Sequence, residues 1–105
     1  MDKKLLKIIN HYGVLPQLKY LQSEIYELTE AIVTNKLKKS VEYEIPLTEI
    51  IGTQEHITEE IADVLVMLFQ FKEYYQIDNH EIKEIMKEKI DRQLKRIEEN
   101  LWQVY

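Results

Sequence analysis

Glu24 and Glu27, and again Glu60 and Asp63, stand three residues apart in a chain of 105 residues. On a helix that spacing sets two side chains on one face, about a turn apart. Counted at about 100° per residue from Glu24, Glu27 lies near 300°, while Leu18, Leu21, Ile25, Leu28 and Ile32 occupy about 40° to 120°. The same count from Glu60 puts Asp63 near 300°, with Ile57, Ile61, Val64, Leu65 and Leu68 at about 40° to 140°. If the two apolar stripes pack together, the four carboxylates converge along one side of the seam. Their repulsion there is costly unless a cation offsets it. A donor set of oxygens alone favours Mg²⁺, with Mn²⁺ as a substitute, over zinc, and Mg²⁺ characteristically completes its shell with water and substrate phosphate. The expected chemistry is therefore metal-assisted attack on a phosphate-bearing substrate. A single pair of this kind among nineteen acidic residues would read as a solvated face. Two pairs in one register beside apolar stripes argue for a site.

The elements that must position these groups are helices. Two glycines and two prolines against an abundance of Leu, Ile, Glu and Lys place the chain in the all-α class, and its length suits one domain, residues 1–105. A first short helix is expected over about residues 2 to 12, stopped by Tyr12-Gly13. A second runs from about Pro16 to Asn35 with Leu18, Leu21, Ile25, Leu28 and Ile32 as its buried stripe. Residues 36 to 53 break the period, with strand-like alternation at Val41 to Ile45 and breakers at Pro46 and Gly52. Thr53 is the N-cap of a third helix to about Gln76 whose middle, Ile61 to Phe71, is apolar on nearly every side and so is expected to be buried all round. Asp78 with Glu81 suggests a capping box opening a fourth helix with Ile82, Met86, Ile90, Leu94, Ile97 and Leu101 on its apolar face. The architecture is a four-helix-type bundle in which the second and third helices form the central pair.

Several classes are excluded. Without cysteine there is no disulfide or thiolate site, and His11, His56 and His80 lack close ligand spacing for zinc. A formal net charge of -5 argues against a nucleic-acid partner. The absence of a secretory signal or a spanning apolar run points to a cytoplasmic protein with no membrane partner. So small a chain, carrying Val66, Met67, Phe69 and Phe71 around one helix, is expected to form a homo-oligomer, a dimer or dimer of dimers.

The segment Gln17 to Leu28 and the segment Glu59-Glu60-Ile61-Ala62-Asp63-Val64-Leu65 together resemble the MazG-like nucleoside triphosphate pyrophosphohydrolases of the all-α NTP pyrophosphatase superfamily. That family carries EExxE on one helix and ExxD on the next. The resemblance spans about residues 12 to 97 and includes the family's third motif, KxxxNxxR, as Lys89, Gln93 and Arg96. Two positions depart from the pattern: Ser23 replaces the first Glu of EExxE, and Gln93 replaces the asparagine. Ser23 points about 100° away from Glu24, off the ligand face. Gln93 and Arg96 lie within about 40° of Lys89 on the fourth helix. The resemblance implies hydrolysis of an NTP or dNTP to the monophosphate and pyrophosphate, serving nucleotide-pool clean-up. It further implies Mg²⁺ on Glu24, Glu27, Glu60 and Asp63, and Lys89, Gln93 and Arg96 binding the phosphates. Two rival readings are a catalytically silent helical oligomer that binds a nucleotide or a protein, and a superfamily enzyme cleaving another pyrophosphate bond. Tyr12, Tyr20 and Trp102 can stack on a base but read first as core residues.

Overall fold

The computed structural model describes residues 2–40 and 50–99, with the side chains of residues 38–40 outside that description. It contains four helices, α1 (Lys3–Tyr12), α2 (Val14–Ser40), α3 (Gln54–Tyr74) and α4 (Asn79–Glu98), and no strand among the described residues. The fold is all-α. The strand-like alternation at Val41 to Ile45 falls outside the described residues, as do Leu101 and Trp102.

Local chemistry sets the helix ends. The Asp2 carboxylate accepts from the N–H groups of Lys4 and Leu5 and so caps α1. Gly13, at φ 96, turns the chain so that its own N–H reaches the Ile9 carbonyl at 2.8 Å. α2 starts at once and runs longer at both ends than its apolar period suggests, with Pro16 in the first turn, where a missing N–H does no harm. Thr53 caps α3 by accepting from the His56 N–H, and Asp78 caps α4 by accepting from that of His80.

The chain divides into two compact units, Met1–Tyr75 and Gln76–Tyr105. In the first, α3 packs against both α2 and α1. Its contacts with α2 pair early residues of one helix with late residues of the other: Gln17 with Gln70, and Asn35 with Gly52 before α3. The two helices are therefore antiparallel. The buried face of α2 consists of Gln17, Leu21, Glu24 and Ala31, and that of α3 of Glu60, Met67, Gln70 and Glu73; Ile9 of α1 is wholly buried.

This seam differs from the expected one. Leu18, Ile25 and Ile32 of α2, and Ile61, Leu65 and Leu68 of α3, each keep 41–45% of their surface in water. Nor is α3 buried all round, since Val66 and Phe69 are as exposed. The facing arc is centred about 80° to 90° from the middle of each apolar stripe, on Glu24 and Glu60 themselves, with Leu21 the stripe residue that stays buried. Because the helices are antiparallel, equal rotations on each bring both stripes to one side of the pair, and Glu27 and Asp63 to the other. Within the second unit, α4 has no buried residue, and Met86, Ile90, Leu94 and Ile97 of its apolar face are more than half exposed. None of the described helices is long and apolar enough to cross a membrane.

Candidate metal and active site

Helical spacing on α2 and α3, together with their antiparallel pairing, brings one oxygen each of Glu24, Glu60 and Asp63 to within 4.8 Å of one another. Glu24 and Glu60 are each 8% exposed, whereas Glu27 and Asp63 lie at the solvent side of the seam. Glu27 joins the cluster, its charge raising the carboxyls of both Glu24 and Glu60. All four expected carboxylates are thus together. They differ from expectation in that two of them lie inside the helix seam instead of all four flanking it.

The electrostatics follow from that burial. The Glu24 carboxyl is pushed above its ordinary 4.5 by burial first, then by the charges of Glu27, Asp63 and Glu60. The Glu60 carboxyl is also raised, by burial first and then by Glu27 and Asp63, with His56 acting in the opposite direction. Among the described residues, three buried carboxylate oxygens lack a hydrogen-bond partner: Glu24 Oε2 and Glu60 Oε2 in this cluster, and Glu73 Oε2 farther along α3. Two such orphaned oxygens, with acidic oxygens beside them, form the environment a hard dication would complete. The donor set fits such an ion: it is all oxygen, it is anionic, and Glu27 and Asp63 leave one side open to solvent.

Around this cluster the seam is polar. Gln17 Nε2 donates to Gln70 Oε1 at 2.8 Å, and Gln70 Nε2 reaches the Met67 sulfur at 3.6 Å, all three side chains being buried. Further along α3, Lys72 Nζ contacts Glu73 Oε1 at 2.8 Å. That hydrogen bond leads the causes that hold the Glu73 carboxyl below its ordinary value, and the Asp2 backbone N–H assists it. At the other end, His56 Nε2 lies 3.3 Å from Glu60 Oε1, and the Gly52 N–H donates to His56 Nδ1 at 3.2 Å. His56 was set aside in the sequence because its spacing suits no zinc site. The signal that could have found it is its place four residues before Glu60, one helical turn away on the same face.

Lys89, Gln93 and Arg96 lie on α4 in the second unit, Lys89 and Gln93 exposed and Arg96 half-buried. They share one face of that helix, as their spacing requires. Tyr12 and Tyr20 are 60% and 56% exposed, which corrects their reading as core residues, and Ser23 is exposed.

Comparison with known proteins adds one match. The family model for the MazG nucleotide pyrophosphohydrolase domain covers residues 14–97. No curated protein and no solved structure matches the chain. The matched span takes in both carboxylate pairs and the three polar positions of α4, and over that extent the chain belongs to the MazG nucleotide pyrophosphohydrolase family.

Proposed function

We propose that the protein hydrolyses a nucleoside triphosphate, an NTP or dNTP, to the nucleoside monophosphate and pyrophosphate, using Mg²⁺ or, in its place, Mn²⁺. The observation that carries this reading is the convergence of Glu24, Glu60 and Asp63 with two buried carboxylate oxygens left unpartnered. The family is metal-dependent in general. Glu24, Glu27, Glu60 and Asp63 are the residues to hold the ion, which when bound offsets phosphate charge and acidifies water. A carboxylate of the cluster accepts the proton of the attacking water as its oxygen bonds to the α-phosphorus. The bond from that phosphorus to the α–β bridging oxygen breaks, and pyrophosphate leaves with the electron pair. Lys89 and Arg96 neutralise the outer phosphate oxygens, and Gln93 hydrogen-bonds to them in place of the family's asparagine.

The open apolar side of the α2–α3 pair supports a homo-oligomer, dimer or dimer of dimers. Six aliphatic side chains on one side of two helices are each close to half exposed, and a second copy would bury them. The proposed setting is the cytoplasmic nucleotide pool, where a pyrophosphohydrolase removes unwanted triphosphates.

The test is a Mg²⁺-dependent assay over a panel of NTPs and dNTPs, with products read by ³¹P NMR. Monophosphate and pyrophosphate are expected. Inorganic phosphate and a diphosphate would refute the bond assignment, and silence across the panel would favour a nucleotide- or protein-binding role.

A further inference from the structure

His56 is in contact at both ring nitrogens, and the hold begins at a distant backbone. Gly52 is buried at φ 84, and a Cβ there would lie 2.7 Å from the Asn35 backbone nitrogen and 3.1 Å from the Thr34 backbone. Only glycine lets the turn approach α2 this closely. Asn35 Nδ2 donates to the Gly52 carbonyl at 2.8 Å, which fixes the peptide against α2. The Gly52 N–H, so anchored, donates to His56 Nδ1 at 3.2 Å. An imidazole that accepts at Nδ1 carries its proton on Nε2. That nitrogen lies 3.3 Å from Glu60 Oε1, the oxygen opposite the orphaned Oε2.

We propose that His56 is a positioning residue for Glu60: the Gly52 amide selects the Nε2–H tautomer, and Nε2–H holds Oε1 so that Oε2 is presented to the cation. The inference rests on the metal-site reading above and deepens it. A ligand fixed through its second oxygen loses less freedom when the ion binds, and removing such outer contacts characteristically weakens metal affinity about 10- to 100-fold. The structural route is specific. It joins α2, through Asn35 and the Gly52 turn, to a carboxylate on α3, so the geometry of the site depends on the seam being closed at that end.

Three variants of the full chain separate this role from mere support of the turn. His56→Asn keeps an acceptor near the Nδ1 position for the Gly52 N–H but cannot reach Glu60. His56→Gln places an amide N–H near the Nε2 position. His56→Ala removes both contacts. Mn²⁺ binding to the nucleotide-free protein, followed by electron paramagnetic resonance, is expected to weaken about tenfold or more in the Asn and Ala variants and to recover in the Gln variant. Metal-free melting temperatures serve as the separate readout of turn support. In the wild type, ¹⁵N NMR of the ring at neutral pH is expected to report the Nε2–H tautomer, a measurement that needs no variant to fold. An Nδ1–H tautomer, or wild-type Mn²⁺ affinity in the Asn variant, overturns the positioning role while leaving the metal site standing. A wild-type protein that binds no Mn²⁺ overturns the metal-site reading, and the positioning role with it.

Discussion

Replacing Glu24 by Gln tests the carboxylate cluster most directly, because every charged neighbour that perturbs Glu24 is itself an acid. Oxygens of Glu60 and Asp63 lie within 4.8 Å of its own. Two unit charges at that separation repel by about 0.9 kcal/mol in a water-like dielectric and about 3.5 kcal/mol at an effective constant of about 20. Asp63 is exposed, so the smaller figure governs that pair. Summed over these two neighbours and discounted for solvent, with the exposed Glu27 adding in the same direction, the neutral variant gains at least about 1 to 2 kcal/mol in the metal-free state, a rise of roughly 5 to 10 °C in melting temperature. The gain must depend on pH. A folded-state value above 4.5 means the folded protein binds more protons than the unfolded chain between 4.5 and that value, so wild-type stability falls as pH rises through the window. At pH 4 Glu24 is protonated in the folded state, and the difference between the proteins should shrink towards zero. Saturating Mg²⁺ reverses the order, since a ligand at about 100 times its dissociation constant adds about 2.7 kcal/mol to the protein that binds it and little to one lacking a charged donor. Differential scanning calorimetry at pH 4 and pH 8, with EDTA and with Mg²⁺, reads all four states. A lower metal-free melting temperature for the variant at pH 8, or an equal gain at both pH values, would refute the clustering of these acids.

Lys89→Ala and Arg96→Ala should each lower turnover about tenfold or more while leaving Mn²⁺ affinity without nucleotide unchanged, as steady-state kinetics and metal titration would show. Loss of helix content by circular dichroism with no separate kinetic effect would reassign either residue to structure. Light scattering at micromolar concentration should give the mass of two or four chains, whereas a monomer would mean that the apolar side of α2 and α3 is left in water. Gln70→Leu should destabilise by about 1 to 3 kcal/mol in urea unfolding, because it leaves the buried Gln17 amide without its acceptor. The double replacement of Gln17 and Gln70 by Leu should recover most of that loss, and failure to do so would show that the two amides are not coupled.

Caps and carboxylate spacing were legible because they are local. Thr53 and Asp78 occupy the cap positions their types favour, and the i,i+3 acids share a face whatever the helix packs against. The direction of burial was not legible. Periodicity tells which side chains share a face, not which of two adjacent faces meets the neighbouring helix, and here the middle of each apolar arc lies about 80° to 90° from the buried glutamate. His56 and Gly52 were missed for a related reason: the contacts that give them meaning run through Asn35, 17 residues before Gly52, and no spacing rule reaches across that connection.

The polar composition of the seam explains why the two faces are arranged this way. Gln17, Glu24, Glu60, Gln70 and Glu73 are all buried between or beside helices, although none would be selected for packing alone. Of these, Gln17 and Gln70 pair with each other, Glu73 Oε1 meets Lys72, and Glu60 Oε1 meets His56. Glu24, Glu60 and Glu73 each keep one buried oxygen without a partner, but only Glu24 and Glu60 lie together with Asp63, and their carboxyls are raised where that of Glu73, beside Lys72, is lowered. A seam meant only to hold two helices together would place Leu18, Ile25, Ile61 and Leu65 there, since those side chains are present in the right register and lack only the rotation. That they stand half in water while acids fill the interior is a cost that the proposed cation would offset, and the aliphatic side left open is the surface that the proposed association would cover.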